Sequence, residues 1–93
     1  MQRVIISSDA SCNMDKQNLI AGIFSNEVVP LLKFHFKVLN VEIEGVFVRI
    51  YIDVEGVHGV KMSYIDITDY CTLLTNTILW NHNIDVQTSV YTG

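Results

Sequence analysis

Three histidines, two cysteines and two close pairs of carboxylates are the side chains whose types could do chemistry in this 93-residue chain. His35, His58 and His82 lie far apart, and no C-x-x-C or H-x-x-x-H pattern accompanies them. A structural zinc site draws its ligands from such close pairs, so no metal site is expected. Cys12 and Cys71 stand at opposite ends of the sequence. A cysteine and a histidine can meet in space to form a nucleophile pair. Cys71, however, falls on the apolar face of an expected helix, where a buried thiol is inert. The pairs Glu42/Glu44 and Asp53/Glu55 have the right chemistry for general acid and base. That work needs a sheltered pocket that drives two pKa values apart. Carboxylates on an open sheet face instead solvate the surface or meet a partner. No catalytic residue and no cofactor is expected.

Glycine patterns add little. No phosphate-cradling glycine motif of the P-loop or dinucleotide type is present. Gly56-Val57-His58-Gly59 fits the G-x-x-G loop of KH domains, but such loops join two helices beside basic residues, whereas this one follows a strand and Glu55. It reads as a turn. Six basic residues against ten acidic ones give a net charge of −4, the wrong sign for broad phosphate neutralisation. Direct sequence-specific nucleic-acid binding is not expected.

The elements that must position these residues follow from periodicity. Val4-Ile5-Ile6 opens a short strand or loose arm over residues 1–14, and Ser7-Ser8-Asp9-Ala10-Ser11 reads as a polar turn. Asp15 is a plausible N-cap. Leu19, Ile20, Ile23, Phe24, Val28, Leu31 and Leu32 then recur at helical spacing, with a break expected just before Pro30. From Lys37 the period becomes two. Val41 and Ile43 alternate with Glu42 and Glu44, and Gly45 supplies a turn. Val46, Val48, Ile50, Ile52 and Val54 share one face of the next strand, while Phe47, Arg49, Tyr51, Asp53 and Glu55 share the other. Val60–Ile65 reads as a short extra strand. Thr68 is the N-cap candidate of a second helix with Cys71, Leu74 and Ile78 inside, ended by Asn81-His82-Asn83. Alternation from Ile84 to Tyr91 reads as a closing strand. The order is (β)αββαβ, one α+β domain spanning residues 1–93. Two helices are expected on one face of a small three- to four-stranded mixed sheet.

Composition agrees with that size. An apolar fraction of 49% is ample for one core. Val4-Ile5-Ile6 is too short an apolar run for a secretory signal, and no stretch approaches the ~20 apolar residues that span a bilayer. A reducing compartment with two free thiols, cytoplasm or organellar matrix rather than the secreted space, is the expectation.

The run from Pro30 to Glu42 resembles the end of the first helix and the first strand of the ribosome maturation factor RimP family. Arg49-Ile50-Tyr51-Ile52-Asp53 is similar to that family's arginine-[IV]-[YF]-isoleucine-aspartate strand. Asp69-Tyr70-Cys71, with Thr75 and Ile78 behind it, resembles its second helix, and Val86 to Gly93 its following strand. The resemblance spans roughly residues 16 to 93. The hairpin at Gly45 is short for the family, the serine-serine-proline-glycine signature is absent, and so is the family's second, SH3-like domain.

The resemblance implies a non-enzymatic assembly factor that binds the small ribosomal subunit or one of its basic proteins. An acidic sheet face carrying Glu42, Glu44, Asp53 and Glu55, with Arg49 and with Tyr51 as aromatic anchor, is suited to steer and hold a basic partner. The alternative is a ferredoxin-like, ACT-like regulatory or dimerisation module that self-associates through its sheet edge as a homodimer. No membrane partner is expected.

Overall fold

The computed structural model describes residues 3–54 and 63–93. Its elements are β1 (Arg3–Asp9), α1 (Met14–Ile23), a π-helical turn (Phe24–Val28), α2 (Val29–Leu32), β2 (Lys37–Glu44), β3 (Phe47–Asp53), α3 (Tyr64–Asn81) and β4 (Thr88–Thr92). The strands form one sheet in the order β2-β3-β1-β4. This is the β-α-β-β-α-β arrangement of ferredoxin-like α+β folds.

All three strand pairings are antiparallel, where a mixed sheet was expected. The reason lies in how the two crossovers interleave. Each helix joins strands that run the same way, but another strand slots between them: β3 between β1 and β2, β1 between β3 and β4.

β1 is no loose arm. It is hydrogen-bonded to β3 on one side and β4 on the other. Ser7, Ser8 and Asp9 belong to the strand, although they read as a turn. Buried hydroxyls are tolerated there because each has a partner. Ser8 Oγ lies 2.8 Å from Thr88 Oγ1, and Ser7 Oγ accepts from Arg49 Nε at 3.3 Å.

Asn13 caps α1, its side chain accepting from the Lys16 amide at 3.1 Å. Asp15 sits instead in the first turn, where its charge suits the helix dipole. The buried stripe is Gln17, Ile20, Ile23, Phe24, Val28, Val29 and Leu32, whereas Leu19 and Leu31 face out. Gln17 Nε2 donates to Ser11 O at 2.8 Å and Gly45 O at 3.1 Å, tying α1 to the β2–β3 hairpin. The break expected before Pro30 is a single wide turn. There Val29 N donates to Phe24 O, five residues back, and the chain stays helical on both sides. Such a bulge absorbs the demands of a ring that lacks a donor and crowds the preceding turn.

At the hairpin, Gly45 holds φ +61°, a conformation glycine adopts without a Cβ penalty.

α3 starts earlier than expected. Ser63, not Thr68, is its cap, accepting from the Asp66 amide at 3.2 Å. Tyr64 and Ile65, assigned from sequence to a strand, are its first turn, and the rest of that strand (Val60 to Met62) lies outside the described residues. The helix closes on Asn83 at φ 58°. Asn83 N donates to Trp80 O and Ile84 N to Leu79 O, both at 2.9 Å, which together form a Schellman motif. This capture of Ile84 shortens the last strand, which begins at Thr88 rather than Ile84.

The core lies between the helices and one sheet face. Val4, Ile6, Val48, Ile50 and Ile52 meet Ile20, Phe24, Val28, Leu32, Ile67, Cys71, Ile78 and Leu79. Thr75 is fully buried among them, and its hydroxyl has no hydrogen-bond partner. A buried hydroxyl without a partner costs ~1–3 kcal/mol. Thr75→Val keeps the shape and is expected to raise stability by about 1 kcal/mol in urea unfolding.

Candidate functional site

Among the described residues no helix packs against the opposite face of the sheet, and the strand registers lay out its composition. Arg3, Ile5, Ser7 and Asp9 come from β1, and Phe47, Arg49, Tyr51 and Asp53 from β3. β2 adds Lys37, Asn40, Glu42 and Glu44, and β4 adds Ser89 and Tyr91. The alternation read from sequence therefore holds through Glu42, Glu44, Arg49, Tyr51 and Asp53. Glu55 lies outside the described residues, as do His58 and the G-x-x-G loop.

Glu44 is the centre of this surface. Its carboxylate accepts from Tyr51 OH at 2.5 Å and from Arg49 Nη1 at 2.7 Å. Arg49 also lies 5.1 Å from the centroid of the Phe47 ring, a cation–π distance. One strand position away, Glu42 accepts from Asn40 Nδ2 at 2.6 Å. The register shift between Val38 and Asn40 turns Asn40 onto this face. Arg3, Leu39, Asn40, Glu42 and Tyr51 line a shallow cavity of about 290 Å³.

Asp53 corrects the expectation of a uniformly acidic, water-facing surface. It is only 9% exposed. In register it stands beside Arg3 on β1 and Lys37 on β2. The face therefore mixes signs: the carboxylates Glu42 and Glu44 run along β2, with Arg3 and Arg49 further in.

The two glutamates are pushed apart. A hydrogen bond shared with Glu44, burial and repulsion by Glu44 raise the Glu42 pKa above the ordinary glutamate value, against the Asn40 contact. The Tyr51 hydrogen bond first, then those from Glu42 and Arg49, hold Glu44 below it. The same bond to Glu44 raises the Tyr51 phenol. The signs for stability are opposite. Glu44 favours the fold above the ordinary glutamate range, and that contribution is lost as pH falls through its depressed pKa. Glu42 opposes the fold when ionised, and protonation at its raised pKa relieves this. A carboxyl-carbon NMR titration is expected to show Glu42 protonating before Glu44 as pH falls.

Among the described residues no group of three or more His, Cys, Asp or Glu could hold a metal ion. Cys71 is buried and its thiol pushed up to about 12 by desolvation, while Cys12 is exposed and free. His35 packs edge-on against Tyr70, and His82 pairs with Glu27 on the far side of the molecule. No helix among the described residues is long and apolar enough to cross a membrane.

The chain matches no protein-family model, no curated protein and no solved structure.

Arg3, Ser7, Asn40 and Phe47 belong to the surface but were not singled out as site residues from sequence. Arg3 was hidden because β1 reads as a short strand or loose arm with no place in the sheet, and Ser7 because it reads as a turn after Ile6. Asn40 was hidden because a bulge breaks the alternation at Leu39. Phe47 carried the right signal, sharing a face with Arg49 and Tyr51.

Proposed function

We propose that this chain is a non-enzymatic binding module whose contact surface is the open sheet face, read by a basic protein partner. One observation carries the reading: a face without helix cover holds a preformed Glu44–Arg49–Tyr51 cluster, with Glu42 and a shallow cavity beside it. Fixing these side chains in advance lowers the ordering cost of association. The carboxylates along β2 steer a cation, and Arg49 and Tyr51 are residue types enriched at binding hot spots. The RimP-like order of residues 16 to 93 supplies the partner class, a basic protein of the small ribosomal subunit and through it the subunit itself. The test is titration of the chain with the separated basic proteins of that subunit, with lysozyme as an equally basic control. Binding of lysozyme alone, or of none, would end this reading.

The ferredoxin-like alternative, a regulatory or dimerisation module, is favoured by the sheet order β2-β3-β1-β4.

A further inference from the structure

The two edges of the sheet are built differently. β2 guards its edge with Lys37, a bulge, Glu42 and Glu44, all devices that discourage strand addition. β4 reads Thr88-Ser89-Val90-Tyr91-Thr92, with no charge and no proline, and its register against β1 runs without a bulge.

Its hydrogen bonding can be followed residue by residue. Asp9 N donates to Gln87 O at 3.0 Å and Gly93 N to Arg3 O at 3.2 Å. In an antiparallel ladder, bonded and non-bonded pairs alternate. Residues 87, 89, 91 and 93 therefore turn their backbone groups toward β1, and Thr88, Val90 and Thr92 turn theirs outward. Among the described residues no strand lies beyond them.

We propose that β4 pairs with β4 of a second copy, antiparallel about a two-fold axis at Val90. In that register Val90 faces the partner's Val90, and Thr88 faces the partner's Thr92. Every outward residue then meets an outward residue, in reciprocal pairs of two hydrogen bonds each. A one-residue slip sets outward groups against inward ones. No charges meet, and threonine opposite threonine is a favourable cross-strand pair. Pairing β4 with β2 of another copy would be head-to-tail and open-ended, and the β2 edge opposes it.

A five-residue strand edge, ~17 Å long, is short for a stable dimer, which takes about 800 Å² from each partner. The pairing is therefore a weak, reversible one. α3 packs over β4 and β1, while α1 lies over β2 and β3, so the same axis sets the two α3 helices side by side and antiparallel. α3 carries no lysine or arginine. Its outer ridge presents Ile65, Leu73 and Trp80, which are 72%, 67% and 59% exposed. At ~100° per residue Leu73 and Trp80 stand opposite the buried stripe of Ile67, Cys71, Thr75 and Ile78, on the crown of the helix with Asp66 and Asp69 rather than on its flank. The product is an eight-stranded sheet with four strands from each copy, and it leaves the open face free, so it stands or falls independently of the basic-partner reading.

Sedimentation velocity of the full chain over a dilution series, with amide hydrogen exchange, tests it. A reversible dimer is expected, with the amides of Val90 and Thr92 losing protection on dilution. Val90→Pro removes an outward donor that the β1 ladder does not use, and is expected to be monomeric with an unchanged circular dichroism spectrum. Thr92→Pro repeats the test at the exposed end of the strand, should Val90→Pro fail to fold. A chain that is still monomeric at about 1 mM would overturn the proposal. So would a dimer that both proline variants leave unchanged.

Discussion

A chain that begins at Asn13 is expected not to fold, although it keeps both long helices and the β2–β3 hairpin. It loses β1, which lies between β3 and β4 and is hydrogen-bonded to each. Without it β4 has no strand to pair with, and β3 loses one of its two ladders. Val4, Ile6 and Ala10, all at 0% exposure, leave the core with it. Even the single change Ile6→Ala is expected to cost about 2–5 kcal/mol, out of the ~5–15 kcal/mol that holds a domain of this kind together. Urea unfolding monitored by circular dichroism measures both. Cooperative unfolding of the truncated chain would show that β1 is dispensable and that the sheet order is wrong.

This expectation bears on the family resemblance. The proposed RimP-like order begins at about residue 16 and so leaves out β1, the strand between β3 and β4. The likeness therefore covers a set of elements that does not form this sheet by itself.

Reversing both Glu42 and Glu44 to lysine is expected to weaken binding of a basic partner by at least about tenfold, and to flatten its dependence on salt. The effect has two parts. Attraction along β2 becomes repulsion, and the loss of Glu44 frees the Tyr51 hydroxyl and the Arg49 guanidinium from the positions it fixes. Tyr51→Phe separates the two parts, since it leaves the charges in place. It is expected to lower affinity less and to leave the salt slope unchanged. Asp15→Lys, on α1 away from the open face, serves as the control. Equal losses from the Asp15 change and the double reversal would remove the open face from the interface.

Much of this fold was legible from alternation and helical spacing. The inward set Val48, Ile50 and Ile52 and the outward set Phe47, Arg49 and Tyr51 were both assigned by period two alone, because an antiparallel sheet with one covered face enforces that pattern. Asn81-His82-Asn83 was legible as a helix end because asparagine accepts the left-handed conformation that closes it.

The misses have local causes. Ser7 and Ser8 looked like a turn because burial of a hydroxyl depends on a partner far along the chain, Arg49 for one and Thr88 for the other. Ser63 lost to Thr68 as the α3 cap because capping depends on where the first turn starts, and Tyr64 and Ile65 have strong strand propensity. Leu19 and Leu31 were assigned to the core because the wide turn at Phe24–Val28 shifts the phase of the stripe, which a fixed helical period does not anticipate. At the site, alternation assigned the carboxylates to the right face. The cationic neighbours of Asp53, Arg3 on β1 and Lys37 on β2, were hidden, since cross-strand neighbours depend on sheet order, which local pattern does not encode.

The proposed binding of the open sheet face to a basic component of the small ribosomal subunit has a direct readout. Co-sedimentation of the purified chain with small subunits across a salt series, with large subunits as control, tests it most directly. Specific retention on small subunits is expected, falling as salt rises and lost in the Glu42→Lys, Glu44→Lys double variant. Absence of retention at low salt, or equal retention on large subunits, would contradict it.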